Sequence, residues 1–309
     1  MTVPTDRCAL SVVIGSIACS RSIERCVASI EAACKGLDSE IIVVTVAADE
    51  ADEGVATVAR RPGVRVQTLA PPALMPHLWA AGLAISRGQV VAFTTGHFEV
   101  SESWARGLLG GIERGATGVA GSLSLAPETR PVDWAVFYLR YSPFLEDIPS
   151  DRDVADIPGD NAAYRRDALD RHSTSFADGF WEVDFHRLIR AEGARLALVP
   201  AAGTRFRPFA SLRAFARQRF EHGCQFGGWR VKFHGRPAWL IAVAAPAVPF
   251  VLVGRIARRV LRRPSERMRF IGALPALMTL ATAWAAGEAW GALFHRPSPP
   301  VASNPVTSA

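Results

Sequence analysis

Leu-Ser-Val-Val-Ile-Gly, Leu10–Gly15, is a short apolar run rich in β-branched residues and closed by a glycine. A run of that length with no polar alternation predicts a strand buried on both faces, as in a parallel sheet. Working outward, Ser22–Ala33 places Ile23, Cys26, Val27 and Ile30 at helical spacing, and Glu40–Val46 reads as the next strand. The alternation continues with a short helix over Val55–Arg60, a strand over Val64–Leu69 and a helix over Leu78–Ile85, which Gly88 ends. A strand over Gln89–Phe93, a helix over Trp104–Gly111 and a strand over Gly118–Leu125 follow. Such alternation predicts an α/β fold with a right-handed, mostly parallel sheet flanked by helices. Ligands of these sheets bind beyond the carboxyl ends of the strands, so the loops after Ile14, Val44 and Phe93 border the expected site.

Further along, Pro131–Phe144 predicts a helix that changes direction at Pro143, and Glu146–Asp156 an acidic loop. Two linked stretches carry the densest chemistry: Gly-Asp-Asn-Ala-Ala-Tyr-Arg-Arg at Gly159–Arg166, and Trp-Glu-Val-Asp-Phe-His-Arg-Leu-Ile-Arg-Ala-Glu-Gly at Trp181–Gly193. Ala168 through Phe180 reads as a loop between them. The second stretch sets Glu182 and Asp184 at the start of a helix that ends in Gly193. A helix start gathers unpaired N–H groups and favours negative charge, so a carboxylate there stays ionised and can serve as a general base on a hydroxyl. An ordinary acidic first turn has the same spelling. Leu196–Pro200 predicts a strand and Ser211–His222 a basic, aromatic helix.

The Gly-x-Asn-x-Ala-x-Arg-Arg segment followed by an acidic pair and Arg-Leu-x-x-x-x-Gly resembles the inverting, GT-A type family 2 glycosyltransferases. Leu10–Gly15 and Glu40–Val44 resemble that family's first two strands, and Ala80–Phe93 the helix and strand that lead to its metal-binding Asp-x-Asp. The resemblance covers residues 8–230. It implies a GT-A-like domain over residues 1–210 that moves a sugar from a UDP- or GDP-linked nucleotide sugar to a glycan or lipid acceptor, with inversion, as in the building of cell-envelope polysaccharide. It also implies roles. Glu182 matches the acid usually assigned as base, and Asp184 the last aspartate, which is structural or substrate-binding. Trp181 stands where the first Glu of the pattern is expected. Gly15, Ser16, Asp49, Thr94, Thr95, His97, Arg205 and Arg207 fall at donor positions, with Glu50 an alternative to Asp49. Asn161, Asp160, Trp181 and Trp104 fall at acceptor or sugar positions; a tryptophan is also an ordinary core residue.

The chain departs from the pattern at the metal position, where Thr94-Thr95-Gly96-His97 replaces Asp-x-Asp. Two threonines and a histidine do not replace two carboxylates as hard-oxygen ligands of Mg²⁺ or Mn²⁺, so a divalent cofactor is not supported. His97 would suit a softer metal or a hydrogen bond. Arg205, Arg207, Arg165 or Arg166 could offset the diphosphate charge instead, or pair with Asp151, Asp153 and Asp156. The missing carboxylates leave an alternative: a catalytically silent GT-A-like protein that binds a nucleotide or a glycan. Gln218–Gly223 is only loosely similar to the Gln-x-x-Arg-Trp of processive members and lacks the Trp, so polymer synthesis is not expected.

The 309 residues carry a net charge of +6, with a pI near 9.5 and a mean hydropathy of +0.15. Hydrophobic residues make up 49%, high for a wholly soluble protein. Cys8, Cys19, Cys26, Cys34 and Cys224 have no Cys-x-x-Cys or zinc spacing and read as reduced, buried thiols of a cytosolic compartment. The N-terminal residues lack the basic and long apolar regions of a secretory signal. The basic C-terminal half favours an anionic membrane surface over nucleic acid, for which no motif is present. There Pro237–Val253 and Phe270–Gly287 are almost uncharged and about as long as the shortest membrane-spanning helix. Between them lie Arg255, Arg258, Arg259, Arg262, Arg263, Arg267 and Arg269. A basic helix over 211–236 is therefore expected to lead into a membrane-associated helical pair over 237–295 joined by an arginine-rich connector. A two-span hairpin would expose that connector outside, against the positive-inside rule. Helices lying in or re-entering the cytoplasmic leaflet keep it inside; two buried core helices are the third arrangement. The Pro- and Ser-rich tail, 296–309, is expected to be disordered.

Overall fold

The computed structural model describes residues 8–17, 19, 22–47, 52–71, 73–126, 129–145, 150–207 and 211–294. Asp49, Glu50, the N-terminal residues 1–7, residues 146–149 of the acidic segment and the tail 296–309 lie outside the described residues. The chain divides into two compact units, one of Met1–Ala126 with Glu146–Arg207, the other of Pro127–Leu145 with Pro208–Ala309.

The first unit begins β1 (Leu10–Ser16), α1 (Ile23–Ala33), β2 (Ser39–Val46), α2 (Glu53–Ala59), β3 (Val64–Leu69), α3 (Met75–Ile85), β4 (Val90–Thr95), β5 (Phe98–Val100), α4 (Trp104–Glu113) and β6 (Gly118–Leu125). The chain leaves for α5 (Pro131–Tyr141) of the other unit. It returns as β7 (Arg152–Val154), β8 (Asn161–Arg165), α6 (Arg166–Arg171), α7 (Glu182–Ala191) and β9 (Leu196–Phe206). Among the described residues nine strands make one sheet, ordered β3-β2-β1-β4-β8-β6-β9-β5, with β7 on β9. β1, β2, β3 and β4 are mutually parallel, as the alternation predicts. The parallel run stops at β8, which enters antiparallel between β4 and β6. Thus the expected mostly parallel sheet is parallel on one side and mixed on the other. The segment read as an acidic loop contains β7, and the segment read as a loop over Ala168–Phe180 begins within α6. These elements are too short for periodicity to reveal them.

Strand alternation divides the core into two layers. Val12, Ile14 and Val43 pack under α1 and α4, with Ile23, Cys26, Ile30, Trp104 and Leu108. Val13, Val44, Phe93 and Tyr164 pack under α3, α6 and α7, with Leu78, Trp79, Leu169, Phe185 and Ile189. Full burial of each such side chain contributes about 1.5–3 kcal/mol. All five cysteines are free and buried.

The second unit contains α5, then α8 (Leu212–His234), α9 (Ala238–Ala244), α10 (Val248–Val260) and α11 (Arg267–Phe294). The expected bend at Pro143 is a 3-10 turn, Ser142–Phe144, directly after α5. Helix α8 outruns the expected Ser211–His222 by a dozen residues and stops at Gly235, whose φ of +57° only glycine adopts cheaply. Gly223 looks like a helix end in sequence but serves another purpose. α8 carries Gly223-x-x-x-Gly227 and α11 carries Gly287-x-x-x-Gly291, and the two motifs face each other. A Cβ on Gly227 would lie 2.1 Å from the Glu288 carbonyl oxygen, and one on Gly291 would lie 1.9 Å from that of Cys224. Backbone thus packs on backbone, as in membrane helix pairs. Beside this seam buried Glu288 accepts from Arg230.

Ala238–Val260 and Pro264–Phe294 are long and apolar enough to cross a membrane, with mean hydropathies of 2.1 and 1.5. Of these windows 22% and 44% is buried. Trp239, Val243, Phe250, Met268, Ile271, Trp290 and Phe294 are exposed on them. Arg255, Arg258 and Arg259 belong to the last turns of α10 rather than to a connector, because nothing in Arg-Ile-Ala-Arg-Arg-Val interrupts the helix.

Candidate active site

The carboxyl ends of β1, β2 and β4 meet in register. Gly15 lies beside Val44 and Thr95, and Ile14 beside Thr94. The structure therefore brings together Gly15, Ser16, Thr94 and Thr95, four of the donor positions read from sequence. Ser16, Thr94 and Thr95 are buried, and their side-chain oxygens have no hydrogen-bond partner among the described residues. A buried hydroxyl left unpaired costs about 1–3 kcal/mol; by strand alternation Ser16 and Thr94 share the α1 face of the sheet, whereas Thr95 points to the α3 face. A Cβ on Gly15 would lie 2.0 Å from Met75 Sδ, so any larger residue there requires the methionine to move.

His97 follows β4 and reaches the connection after β1. Its Nε2 lies 3.4 Å from Cys19 Sγ and its Nδ1 3.4 Å from Ser22 Oγ. These are the side chains around the Asp-x-Asp position, and no group of three His, Cys, Asp or Glu side chains able to hold a metal exists among the described residues. One imidazole, one thiol and neutral hydroxyls are a poor set for a hard divalent cation, which takes carboxylate and carbonyl oxygens. The residues present do not fit the family's cation.

Arg207 donates its backbone N–H to the His97 carbonyl at 2.8 Å, but its guanidinium pairs with Glu99, Nε to Oε1 2.8 Å. Its charge is already matched. Arg205, next but one along β9, is exposed, opposite Glu99 and Ser124 in register. Arg165 pairs with Asp167, and Arg166 bonds the Gly88 carbonyl and Ser86.

Helix α7 begins at Glu182, with Trp181 as its cap residue. No side chain caps this end, and the positive end of the helix favours a carboxylate there. Glu182 lies over Gly159: a Cβ on that glycine would be 2.9 Å from Glu182 Cγ and 3.0 Å from Cδ. Asp160, buried, follows directly. Asp184 does not join this group. Residues two apart on a helix point to different sides, and Asp184 pairs with Arg187 on the outer surface, 3.1 Å. Trp181 donates its indole N–H to the Asp178 carbonyl at 3.0 Å and keeps part of its ring exposed.

Trp104 and Asn161 are placed differently from their expected sugar-binding roles. Trp104 is fully buried and donates its indole N–H to Asn161 Oδ1 at 2.7 Å. Asn161, also fully buried, donates its amide to the Ala202 carbonyl at 3.2 Å. The pair ties α4 to β8 and β9 and presents no ring face to a ligand, because Trp104 sits in the layer under α1 and α4.

Sequence reading missed a network behind Glu182. Tyr164 on β8 lies 2.6 Å from His186 Nε2, and His186 Nδ1 contacts Asp156 Oδ1. With the ring proton on Nδ1 toward Asp156, Nε2 is the acceptor for the Tyr164 hydroxyl. Burial first, then the charges of Glu182 and Asp156, push the Tyr164 phenol well above its ordinary value. The signal available was spacing: His186 lies one helical turn from Glu182, on the same face.

A search of curated proteins found no match. The model of the family described as glycosyl transferase family 2 matches residues 11–173, from β1 through β8 and α6 and ending before α7. With strands β1 to β8, the donor-side strand ends and the Gly159–Arg166 segment covered by that match, the chain belongs to glycosyl transferase family 2 and its chemistry is glycosyl transfer.

Proposed function

We propose that the protein is an inverting glycosyltransferase, acting from the cytoplasmic face of a membrane, that moves a sugar from a UDP- or GDP-linked donor to a hydroxyl or phosphate of a lipid-associated acceptor. The observation that carries this reading is Glu182 at the uncapped start of α7, over Gly159 and beside Asp160. For a hydroxyl acceptor, its oxygen attacks the anomeric carbon and its proton passes to the Glu182 carboxylate. The bond to the diphosphate breaks on the opposite face, and the nucleoside diphosphate leaves with the electron pair. The unpaired hydroxyls of Ser16 and Thr94, on one face of the sheet, suit phosphate oxygens, and exposed Arg205 suits their charge better than Arg207, which Glu99 already occupies. The second reading, a silent nucleotide- or glycan-binding protein, is favoured by the absence of a carboxylate at Thr94–His97.

The test is turnover of the full-length protein with a panel of UDP- and GDP-sugars, with and without EDTA, for the wild type and Glu182→Gln. The substitution keeps shape and removes basicity, so turnover should fall by about 10²–10⁴-fold while donor binding survives. Chelation should leave donor binding unchanged. Nucleotide binding without turnover by the wild type would establish the silent reading. Unchanged turnover in Glu182→Gln would remove Glu182 as base.

A further inference from the structure

Arg255, Arg258 and Arg259 recur at i, i+3 and i+4, which puts them on one face of the last turns of α10, and Arg262 joins them from the turn that follows. They line an open cleft of about 410 Å³ and are its lining among the described residues. Four guanidiniums side by side repel one another unless anions lie between them. Anions from the same unit are spoken for. Its described residues include four carboxylates: Asp133 pairs with Arg130, Glu221 with Arg217, Glu266 with Arg269, and Glu288 with Arg230. Within the cluster, Arg259 has a single weak contact to a neutral group, Ser142 Oγ at 3.4 Å.

We propose that this cleft is a phosphate-binding site for the headgroups of anionic phospholipids. The guanidinium fork binds phosphate oxygens in pairs. Neighbouring residues choose a lipid over a free phosphate. Upstream of the cluster the same helical stretch exposes Trp239, Leu240, Val243, Phe250 and Val251. Along Ala238–Val260 an apolar surface is followed by cations, the order in which a bilayer presents hydrocarbon and then headgroup phosphates. The site would thereby set the depth at which α9 and α10 sit. The proposal rests on the membrane-associated reading of these helices and is independent of the sugar chemistry.

The experiment measures phospholipid retained by the full-length protein in a neutral detergent, by native mass spectrometry after adding phosphatidylglycerol or phosphatidylcholine. The wild type should retain phosphatidylglycerol at least tenfold better. Arg255→Gln, Arg258→Gln, Arg259→Gln and Arg262→Gln should each weaken that preference roughly fivefold, and the four together should abolish it. Should the fourfold variant fail to fold, the fourfold Arg→Lys variant, which keeps the charge, should retain the anionic preference. Equal retention of the two lipids by the wild type, or a preference that survives the fourfold Gln change, overturns the proposal. Tight binding of inorganic pyrophosphate that phosphatidylglycerol does not displace would also overturn it and assign the cleft to a soluble diphosphate. Flotation of the wild type with neutral vesicles reads membrane attachment separately, so failure of the arginine site and failure of the membrane reading are distinguishable.

Discussion

Gly159 and Glu182 are packed so closely that a single methyl on the glycine would meet the carboxylate stem at 2.9 Å. The glycine therefore acts as the floor on which the proposed base rests. Gly159→Ala should push the carboxyl aside while leaving the fold intact, because Glu182 is a partly exposed side chain at a helix start and can move. A misplacement of about 1 Å costs on the order of 10²-fold in turnover. The check is kcat with an unchanged donor affinity and an unfolding midpoint close to the wild type. Normal kcat in Gly159→Ala would show that the position of Glu182 does not matter to the reaction.

The Trp104–Asn161 hydrogen bond predicts a stability effect in place of a binding effect. Trp104→Phe removes the indole donor and leaves Asn161 Oδ1 buried without it. Such a loss costs about 1–3 kcal/mol, read as a lower midpoint in chemical unfolding, with the KM for either substrate nearly unchanged. A raised KM at wild-type stability would return Trp104 to a sugar-binding role.

Glu40 ties the start of the sheet to the turn after α3 and sets a pH dependence. Burial pushes its carboxyl up, but the Ser11 hydroxyl, the Arg87 backbone N–H and the Arg65 and Arg87 guanidiniums outweigh burial and hold it below the ordinary 4.5. A carboxylate depressed in the folded state contributes stability that is fully present above its unfolded value and is lost as pH falls through the folded one. Unfolding free energy should accordingly decline on acidification below about 4.5, and Glu40→Gln should remove that part of the slope and cost about 1–3 kcal/mol at neutral pH. Parallel slopes for the two proteins between pH 5 and pH 3 would contradict the assignment.

The facing glycine motifs of α8 and α11 predict sharply position-dependent effects. Gly227→Val or Gly291→Val puts a branched side chain where a single Cβ already lies within 2.1 Å of the opposite backbone. The helices must separate, at a cost of about 3 kcal/mol or more. Gly254→Ala and Gly272→Ala meet nothing within 4 Å. They should stabilise their helices by up to about 1 kcal/mol. Thermal unfolding of the detergent-solubilised protein should place the first pair well below the wild type and the second pair at or above it.

The N-terminal half of the fold was legible because its signal is local. β-branched runs of six to eight residues, separated by helical spacing, define β1 to β4 without reference to anything distant, and the start of α7 at Glu182 follows from the residues around it. Helical geometry also contained a point that the acidic pair obscured: Glu182 and Asp184 are two residues apart and face different sides. The glycine spacing 223/227 and 287/291 was present in sequence, but its meaning needs two helices at once.

Taken alone, the sequence determined the α/β class, the family resemblance, the absence of carboxylates at Thr94–His97 and the clustering of arginines after residue 254. Tertiary structure decided which charges are already spent and which polar groups are not. Arg207 looks like a phosphate ligand until Glu99 is found on the neighbouring strand, over a hundred residues away. Asn161 looks like a sugar contact until β8 inserts antiparallel between β4 and β6 and sets it against Trp104. Ser16 and Thr94 are unremarkable as letters and come to share one sheet face only because parallel register brings their strand ends together. Pairing partners far apart in sequence are chosen by the packing of whole elements, so the free energy that assigns each side chain its role is absent from any local window.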